Sequence, residues 1–279
     1  MQLPRELEGY FESPHDCPPK WLSMMTAYID ESGHEGKGWM FLAGYLGSED
    51  QWKRFVPAWK AGLGPQRKSL HLTDLRWNKD RTKQLLKRLG PIPEGCGLTP
   101  ILGGIRYGDY EDLVTGSPAA KLLKGWLTCL FTIVLETLRV VPDGERLELV
   151  FEEQREYEQN AGQILSMIAY HDPWSGTPWQ DKEGKAKLAK WGFVPKGSTI
   201  MTDPADYLAF ALRELWTDEK SKKSAWCRPI LASGEGIGKI LKRDTIRPII
   251  QTTFMMAMFS RLDRQFAKFI QMQKGQSKS

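Results

Sequence analysis

The sequence predicts an α/β protein in which helices cover the faces of a mixed β-sheet. Three observations lead to this prediction. Short apolar runs bounded by turn residues indicate strands. Apolar residues at helical spacing separate these runs. The 279 residues, of which 41% are hydrophobic and 26% charged, can bury a large core. We therefore expect one large domain, and no internal repeat is evident.

The first half of the chain predicts a hairpin, two helices and a third strand. Two apolar runs joined by a short glycine-containing segment indicate the hairpin. Ser48 precedes two acids and an amphipathic stretch, as at a helix start, and Pro57 should bend or break that helix. Glycines weaken the pattern of the third strand. The predicted elements are strands at 28–30 and 39–47, a helix from Ser48, a basic helix over 79–89 and a strand over 98–107.

The second half predicts alternating helices and strands. A long apolar helix is closed by the turn sequence Pro-Asp-Gly at 142–144. The short apolar run after it ends on two acids and indicates the fourth strand. A polar loop then reaches about Lys196. The predicted elements are a helix over 118–140, a strand over 147–153, a helix over 156–170, a strand over 198–201, a helix over 204–216 and a mostly helical remainder.

This chain order is that of the ribonuclease H-like fold. Three strands, a helix, a strand, a helix, a strand and a helix build a mixed five-stranded sheet flanked by helices. We expect an N-terminal extension over 1–24, a ribonuclease H-like core over 25–220 and a helical C-terminal extension over 221–279 that packs on the core.

Composition and charge exclude several classes of protein. The net charge of +5 is compatible with a polyanionic partner but does not require one. The four cysteines form no CxxC pair, so neither a zinc finger nor a disulfide framework is expected. The N-terminus lacks the features of a signal peptide, and the apolar stretch over 126–141 contains two charges and is short for a membrane span. We expect a cytoplasmic protein without membrane association.

Acidic residues end two predicted strands and begin a predicted helix. Taken singly, each pair has a structural explanation, because acids cap helices and occupy turns. In the predicted fold, however, the three elements are neighbours at the centre of the sheet. Mg²⁺ prefers hard oxygen ligands, and two ions about 4 Å apart can activate a water and stabilise a leaving oxygen. The acids are Asp30 and Glu31, Glu152 and Glu153, and Asp203 and Asp206.

Several motifs resemble a known family. YIDESG is followed by WMFLAGYL, by LHLTDL at 70–75 and by TDPADYLAFAL at 202–212. Together these motifs resemble the bacterial and phage family catalogued as domain of unknown function 3800, which is regarded as ribonuclease H-like and related to RuvC-type resolvases. The resemblance implies a metal-dependent nuclease that hydrolyses nucleic-acid phosphodiester bonds by a metal-activated water. The cofactor would be Mg²⁺ or Mn²⁺, as two ions.

The resemblance also implies roles for individual residues. Asp30 matches the first-strand ligand, and Asp206 matches the aspartate of the late helix. Glu152 matches the fourth-strand acid, with Glu153 in reserve. Many relatives have aspartate in that strand, which leaves the exact ligand open.

Three further residues are auxiliary catalytic candidates. Glu31 points to the opposite strand face from Asp30 unless the chain turns directly after it, because side chains alternate along a strand. Asp203 is expected to cap the late helix, since proline follows it at the first helical position. His71 could orient a water or a phosphate, or it could be structural.

The segment 179–197 is the strongest candidate contact for nucleic acid. Its lysines could neutralise phosphates and its indoles could stack on bases, whereas the alternative is a solvated helix with a packed tryptophan. Segments 79–88 and 261–278 are further basic candidates, for which the alternative is a solvated face. The residues predicted to contact nucleic acid are Trp179, Lys182, Lys185, Lys187, Lys190 and Trp191.

The glycine-rich sequence SGEGIGKI at 233–240 is not a phosphate loop. A Walker motif would need glycine at 233 and serine or threonine after Lys239. We expect a flexible turn there.

Two other functions stay open: a non-catalytic protein that binds nucleic acid or a partner on the same fold, and a defence or toxin effector nuclease that needs a partner. The choice between DNA and RNA, and whether the chain forms a homodimer, also stay open.

Overall fold

The computed structural model describes residues 24–34, 36–115, 124–170, 179–231, 236–241, 246–247 and 249–250. The strands are β1 (Met24–His34), β2 (Lys37–Ser48), β3 (Thr99–Arg106), β4 (Arg146–Glu152), β5 (Leu188–Val194) and β6 (Ile237–Leu241). The helices are α1 (Glu49–Leu63), α2 (Asp80–Leu89), α3 (Ile92–Gly95), α4 (Tyr107–Val114), α5 (Gly125–Val140), α6 (Glu158–Tyr170), α7 (Asp203–Thr217) and α8 (Lys222–Leu231). A 3₁₀ turn covers Leu72–Asp74.

The strands form one mixed sheet in the order β5-β4-β1-β2-β3-β6. Strands β1, β2 and β3 pair antiparallel, while β4 runs parallel to β1, β5 parallel to β4 and β6 parallel to β3. The predicted α/β class and mixed sheet are confirmed, with six strands instead of five. Parallel β1 and β4 bring two distant parts of the chain side by side at the sheet centre.

The hairpin of β1 and β2 is longer than predicted. Strand β1 continues past Ser32 to His34, with an irregular register between these two residues. Gly33 has a φ of 122°, a conformation that favours glycine. The strands also approach closely at Gly44, where a Cβ atom would collide with the Tyr28 carbonyl. The chain therefore does not turn away directly after Glu31.

Each face of the sheet is covered by its own hydrophobic core. On one face, the largely buried α5 packs with α4 and α6 against side chains such as Ile29 and Phe151. On the other face, α1, α2, α7 and α8 pack against Phe41 and Tyr45. Side chains alternate between the two faces along each strand, so neighbouring residues of β1 contact different layers.

Helix α1 begins as predicted but is not broken by its proline. The Ser48 hydroxyl accepts a hydrogen bond from the Gln51 amide, and the Gln51 side chain accepts one from the Ser48 amide. The helix continues through Pro57 to Leu63, so the predicted break does not occur. Phe55 and Trp59 are fully buried on either side of this proline, and this packing holds both halves of α1 on the core.

Two strand predictions are wrong. Residues 198–201 form no strand, and the fifth strand is instead β5, within the segment interpreted as a loop. The glycine-rich segment is not a flexible turn where it is described, because 237–241 form β6 against β3. The chain after residue 220 is consequently not wholly helical. In both cases pairing with a neighbouring strand outweighs a weak local pattern.

Some predicted features lie outside the described residues. These are the N-terminal extension up to residue 23, the start of the helix predicted over 118–140, and the basic tail over 261–278. None of the helices that are described combines the length and apolar character needed to cross a bilayer. Three cysteines, Cys96, Cys129 and Cys227, are free thiols in buried positions.

Candidate functional site

The parallel pairing of β1 and β4 places Asp30 beside Glu152. Ile29 pairs with Phe151 in this ladder, and the two acids are the next residues of their strands. They therefore point to the same face of the sheet as close neighbours. The exposed fractions are only 5% for Asp30 and 4% for Glu152. Two carboxyl groups thus share a largely buried position.

Helix α7 brings a third acid to this position. The helix packs across β1 and β2, and Asp206 lies in its first turn. The Asp206 Oδ2 atom accepts a hydrogen bond of 3.1 Å from the Leu72 amide. The His71 Nδ1 atom is 3.8 Å from the same oxygen. Both contacts tie α7 to the 3₁₀ turn.

The environment of Asp30 shows that the three acids interact. Burial, followed by repulsion from Glu152, Asp206 and Glu31, raises the pKa of Asp30 well above its usual range. A hydrogen bond of 2.8 Å from the Glu31 amide to Asp30 opposes this change. We call Asp30, Glu152 and Asp206 the acid site.

Lys196 joins the acid site, although the sequence interpretation did not include it among the site residues. Its Nζ atom is 3.3 Å from Glu152 Oε2, and its side chain is 63% exposed. Partial burial would lower the pKa of Lys196, but attraction to Glu152, Asp30 and Asp206 outweighs this effect and raises it. Lys196 lies in the short segment between β5 and α7, and this position could have indicated its role. The sequence interpretation missed it because it placed the fifth strand at 198–201.

Glu31 lies on the opposite face of the sheet, as alternation predicts. The indole Nε1 of Trp126 in α5 donates a hydrogen bond of 2.9 Å to Glu31 Oε2. Burial raises the pKa of Glu31 to about 7, and this donated bond opposes the rise. Glu31 still senses the charges of Glu152 and Lys196. Its negative charge adds to the repulsion within the acid site from the other layer.

Asp203 does not cap α7. Thr202 is the N-cap residue, and its side chain makes no capping bond. Asp203 is 2% exposed, and its Oδ2 atom accepts bonds from Trp59 Nε1 at 3.0 Å and from the Leu70 amide at 2.8 Å. Burial raises the pKa of Asp203 to about 7. The expected capping role is wrong because two buried donors need this acceptor.

His71 is held between α7 and the segment that follows β5. The Asp206 carboxylate, 3.8 Å from Nδ1, raises the pKa of His71. A Cβ atom at Gly197 would be 3.2 Å from His71 Nε2, so the missing side chain makes room for the imidazole. The Gly197 amide also lies 3.4 Å from Glu152 Oε1, to which it donates. His71 therefore borders the acid site.

Glu153 lies apart from the acid site. Its carboxylate pairs with the Arg155 guanidinium at 2.9 Å, and its amide donates to the Val194 carbonyl. Glu152, and not Glu153, is thus the β4 residue that the structure brings to Asp30.

Of the six residues predicted to contact nucleic acid in segment 179–197, two are buried in the structure and one is half-buried. Trp179 is 5% exposed, with its ring at an edge-on angle to Phe131. Lys187 is 7% exposed and donates to the Val141 carbonyl at 2.7 Å. Trp191 is half-buried against the core on the α5 face. Trp179 and Lys187 are consequently not available to a polynucleotide, which contradicts the prediction for these two residues.

The exposed lysines of this segment have acidic partners within the protein. Because a neighbouring carboxylate already offsets each charge, these lysines are weaker candidates for phosphate binding. The pairs are Lys182 with Asp143 at 3.2 Å, Lys185 with Glu183 at 2.8 Å and Lys190 with Glu148 at 2.7 Å.

The acid site has the donor chemistry of a divalent-cation site. Three carboxylates offer the hard oxygen ligands that Mg²⁺ and Mn²⁺ prefer. Within the part of the chain that the structure describes, however, no three Asp, Glu, His or Cys side chains are close enough to count as an assembled metal-binding group.

The chain has no match that would assign a function to this geometry. Comparisons with protein-family models, with curated proteins and with solved structures found none. The placement of the charged residues is therefore the basis on which a function can be inferred.

Proposed function

We propose that the protein is a Mg²⁺- or Mn²⁺-dependent nuclease with a ribonuclease H-like fold. The observation that carries this proposal is the convergence of Asp30, Glu152 and Asp206, which are far apart in sequence, in one buried site. Burying several negative charges without compensation is costly. A divalent cation is the compensation that carboxylate oxygens suit best.

The fold supports the proposal through the elements that carry the acids. Apart from α1 to α3 between β2 and β3, α4 after β3, and the additional α8 and β6, the chain order is three antiparallel strands, a helix, a parallel strand, a helix, a parallel strand and a helix. This is the order expected for the ribonuclease H-like fold. Asp30 and Glu152 stand on adjacent parallel strands, which are rigid supports. Asp206 is oriented by the Leu72 amide.

The donor set fits one or two hard divalent ions. A bound ion would supply Lewis acidity to a phosphodiester and would lower the pKa of a coordinated water. The chain itself supplies the three carboxylates, and a bound cation would offset the repulsion that contributes to the raised pKa of Asp30.

Two basic groups, His71 and Lys196, border the acids and would orient a phosphate. His71 is held by Asp206, which favours its protonated form. Lys196 lies at the edge of the acid site with its side chain mostly exposed, so an anion bound at that site would be next to its ammonium. A phosphodiester that approaches the acid site would therefore meet positive charge at its rim.

Cleavage assays test the proposal directly. Purified protein is incubated with single- and double-stranded DNA and RNA, with Mg²⁺, with Mn²⁺ or with a chelator. We expect metal-dependent cleavage that falls to background in Asp30→Asn and Glu152→Gln. Glu153→Gln is the matched control, because Glu153 lies next to Glu152 but outside the acid site, and it should retain activity. Undiminished cleavage by Asp30→Asn would refute the proposal.

A non-catalytic nucleic-acid-binding protein is the second candidate function. The contact of Lys196 with Glu152 favours it, because an ammonium can offset part of the negative charge without any metal. This candidate predicts nucleic-acid binding without metal-dependent turnover. An effector nuclease that needs a partner predicts that turnover appears only when that partner is added.

A further inference from the structure

One continuous segment of the chain is far more basic than the rest. Residues 60–90 contain nine Lys or Arg and two Asp, which is a local net charge of +7, whereas the whole chain has +5. All nine cationic residues are exposed. We call them the 60–90 basic surface: Lys60, Arg67, Lys68, Arg76, Lys79, Arg81, Lys83, Lys87 and Arg88.

These charges are not offset by the protein. None of the nine forms an ion pair with a carboxylate in the described part of the chain. Lys182, Lys185 and Lys190, by contrast, each contact a carboxylate. A surface that keeps its cations unpaired is suited to bind an external polyanion.

Helix α2 aligns four of the charges on its solvent face. Its buried residues Thr82, Leu85, Leu86 and Leu89 face the core. Residues three and four positions apart share a helix face, so the cations occupy the opposite arc. The ten residues of α2 span roughly 15 Å at about 1.5 Å per residue. The cations of this arc are Arg81, Lys83, Lys87 and Arg88.

The end of α1 adds two basic depressions to this surface. They are neighbouring open cavities of about 530 Å³ each, which share Gly64, Pro65 and Arg67 in their linings. Lys60 and Lys68 complete the lining of one cavity, and Arg88 contributes to the other. Concave basic sites of this kind can hold the phosphate groups of a nucleic-acid backbone.

The same segment leads directly to the acid site. His71 and Leu72 lie within it, and both contact Asp206. Arg76 is five residues after His71, a distance of at most about 18 Å even for extended chain. A backbone bound along α2 would thus approach the acids from the His71 side.

We propose that the 60–90 basic surface binds the phosphate backbone of a polynucleotide and directs it to the acid site. This inference rests on the proposed function for the chemistry at the acids, but the binding surface can be tested separately. It implies a substrate several nucleotides long, because single nucleotides could not contact both α2 and the acids. An anionic membrane is a poorer fit, since the solvent arc of α2 presents no apolar side chain for insertion.

Two triple variants with the same loss of charge test the surface. Arg81→Gln/Lys83→Gln/Lys87→Gln removes unpaired cations, and Lys182→Gln/Lys185→Gln/Lys190→Gln removes paired ones. Glutamine has nearly the helix propensity of lysine and arginine, so α2 should stay folded, and circular dichroism verifies this. Binding to short single- and double-stranded DNA and RNA is measured with a chelator present, over a range of salt concentrations.

We expect the α2 triple variant to bind at least about tenfold more weakly. The slope of the logarithm of the binding constant against the logarithm of the salt concentration should become shallower by about 2, because each phosphate contact contributes roughly 0.7–0.9 to it. The control variant should bind like the wild type. Equal weakening by both variants would overturn the inference, as would a wild type that binds anionic vesicles but no oligonucleotide. Oligonucleotide binding that depends on the α2 cations, without metal-dependent cleavage, would instead reject the proposed function and leave this inference standing.

Discussion

Asp203 and Asp206 lie one helical turn apart, yet the structure gives them different environments. Asp203 is buried against Trp59 and Leu70, whereas Asp206 faces His71 and the acid site. The local sequence predicts a cap at Asp203, which the structure does not show. No local pattern could indicate a partner such as Trp59, which lies 144 residues earlier.

Asp203 should make stability depend on pH. Its pKa is about 7 in the folded protein, against an ordinary value of 3.8, so the folded state holds this proton more tightly. The contribution of Asp203 to the free energy of unfolding therefore falls as pH rises from about 4 to about 7. Asp203→Asn keeps an acceptor oxygen and does not titrate. We expect it to be more stable than the wild type above pH 7 and to lose this advantage near pH 4.

Urea denaturation of both proteins at several pH values measures the effect. Subtracting the two stability curves removes the contributions of Glu31 and the other acids. Asp203→Ala should be destabilised at every pH by about 1–3 kcal/mol for each donor left unpaired. Parallel curves for the wild type and Asp203→Asn would show that Asp203 remains ionised in the folded state.

At the scale of elements, local sequence signals predicted an element correctly where a cap or a strong amphipathic pattern was present. The capping box of α1 and the amphipathic pattern of α2 are such cases. The signals failed for β5 and β6. β5 includes two exposed residues, one of which is a lysine, and β6 includes Gly238. These strands are the outermost of the sheet, and pairing with β4 and β3 stabilises them.

The β1–β2 hairpin should be sensitive to one glycine. In Gly44→Ala, the added Cβ would collide with the Tyr28 carbonyl in the neighbouring strand. We expect a loss of about 3 kcal/mol in the free energy of unfolding, because the backbone of a central pair cannot easily move apart. Gly192→Ala in β5 is the control, since no atom lies within 4 Å of its added Cβ. Chemical denaturation compares the two, and similar losses would contradict the assigned hairpin register.

At the scale of the whole molecule, the sheet order brings acids from three distant parts of the chain together. The accompanying electrostatic cost appears in the raised pKa of Asp30, to which burial and the neighbouring acids contribute. Lys196 offsets part of this cost. The folded protein should therefore gain stability from any cation that binds among these carboxylates.

Divalent ions should raise the thermal unfolding temperature. We expect Mn²⁺ and Mg²⁺ to stabilise the wild type in a concentration-dependent way, because they bind only the folded acid site. Asp30→Asn should lose this increase, while Glu153→Gln should keep it. Differential scanning fluorimetry with matched ionic strength measures the effect. An equal increase in Asp30→Asn would place the bound ion elsewhere.

The sequence by itself determined the α/β class, the hairpin, most helices and the strands that carry Asp30 and Glu152, although β1 continues past Asp30 to His34. These features depend on periodicity, caps and turn residues, which act over a few neighbouring positions. Only the tertiary structure decided which charges meet: it diverted Asp203 to Trp59, brought Lys196 to Glu152, and paired the lysines near 185 while leaving those of α2 free of acidic partners in the described chain. Such pairings depend on distances between segments remote in sequence, and no local pattern specifies those distances.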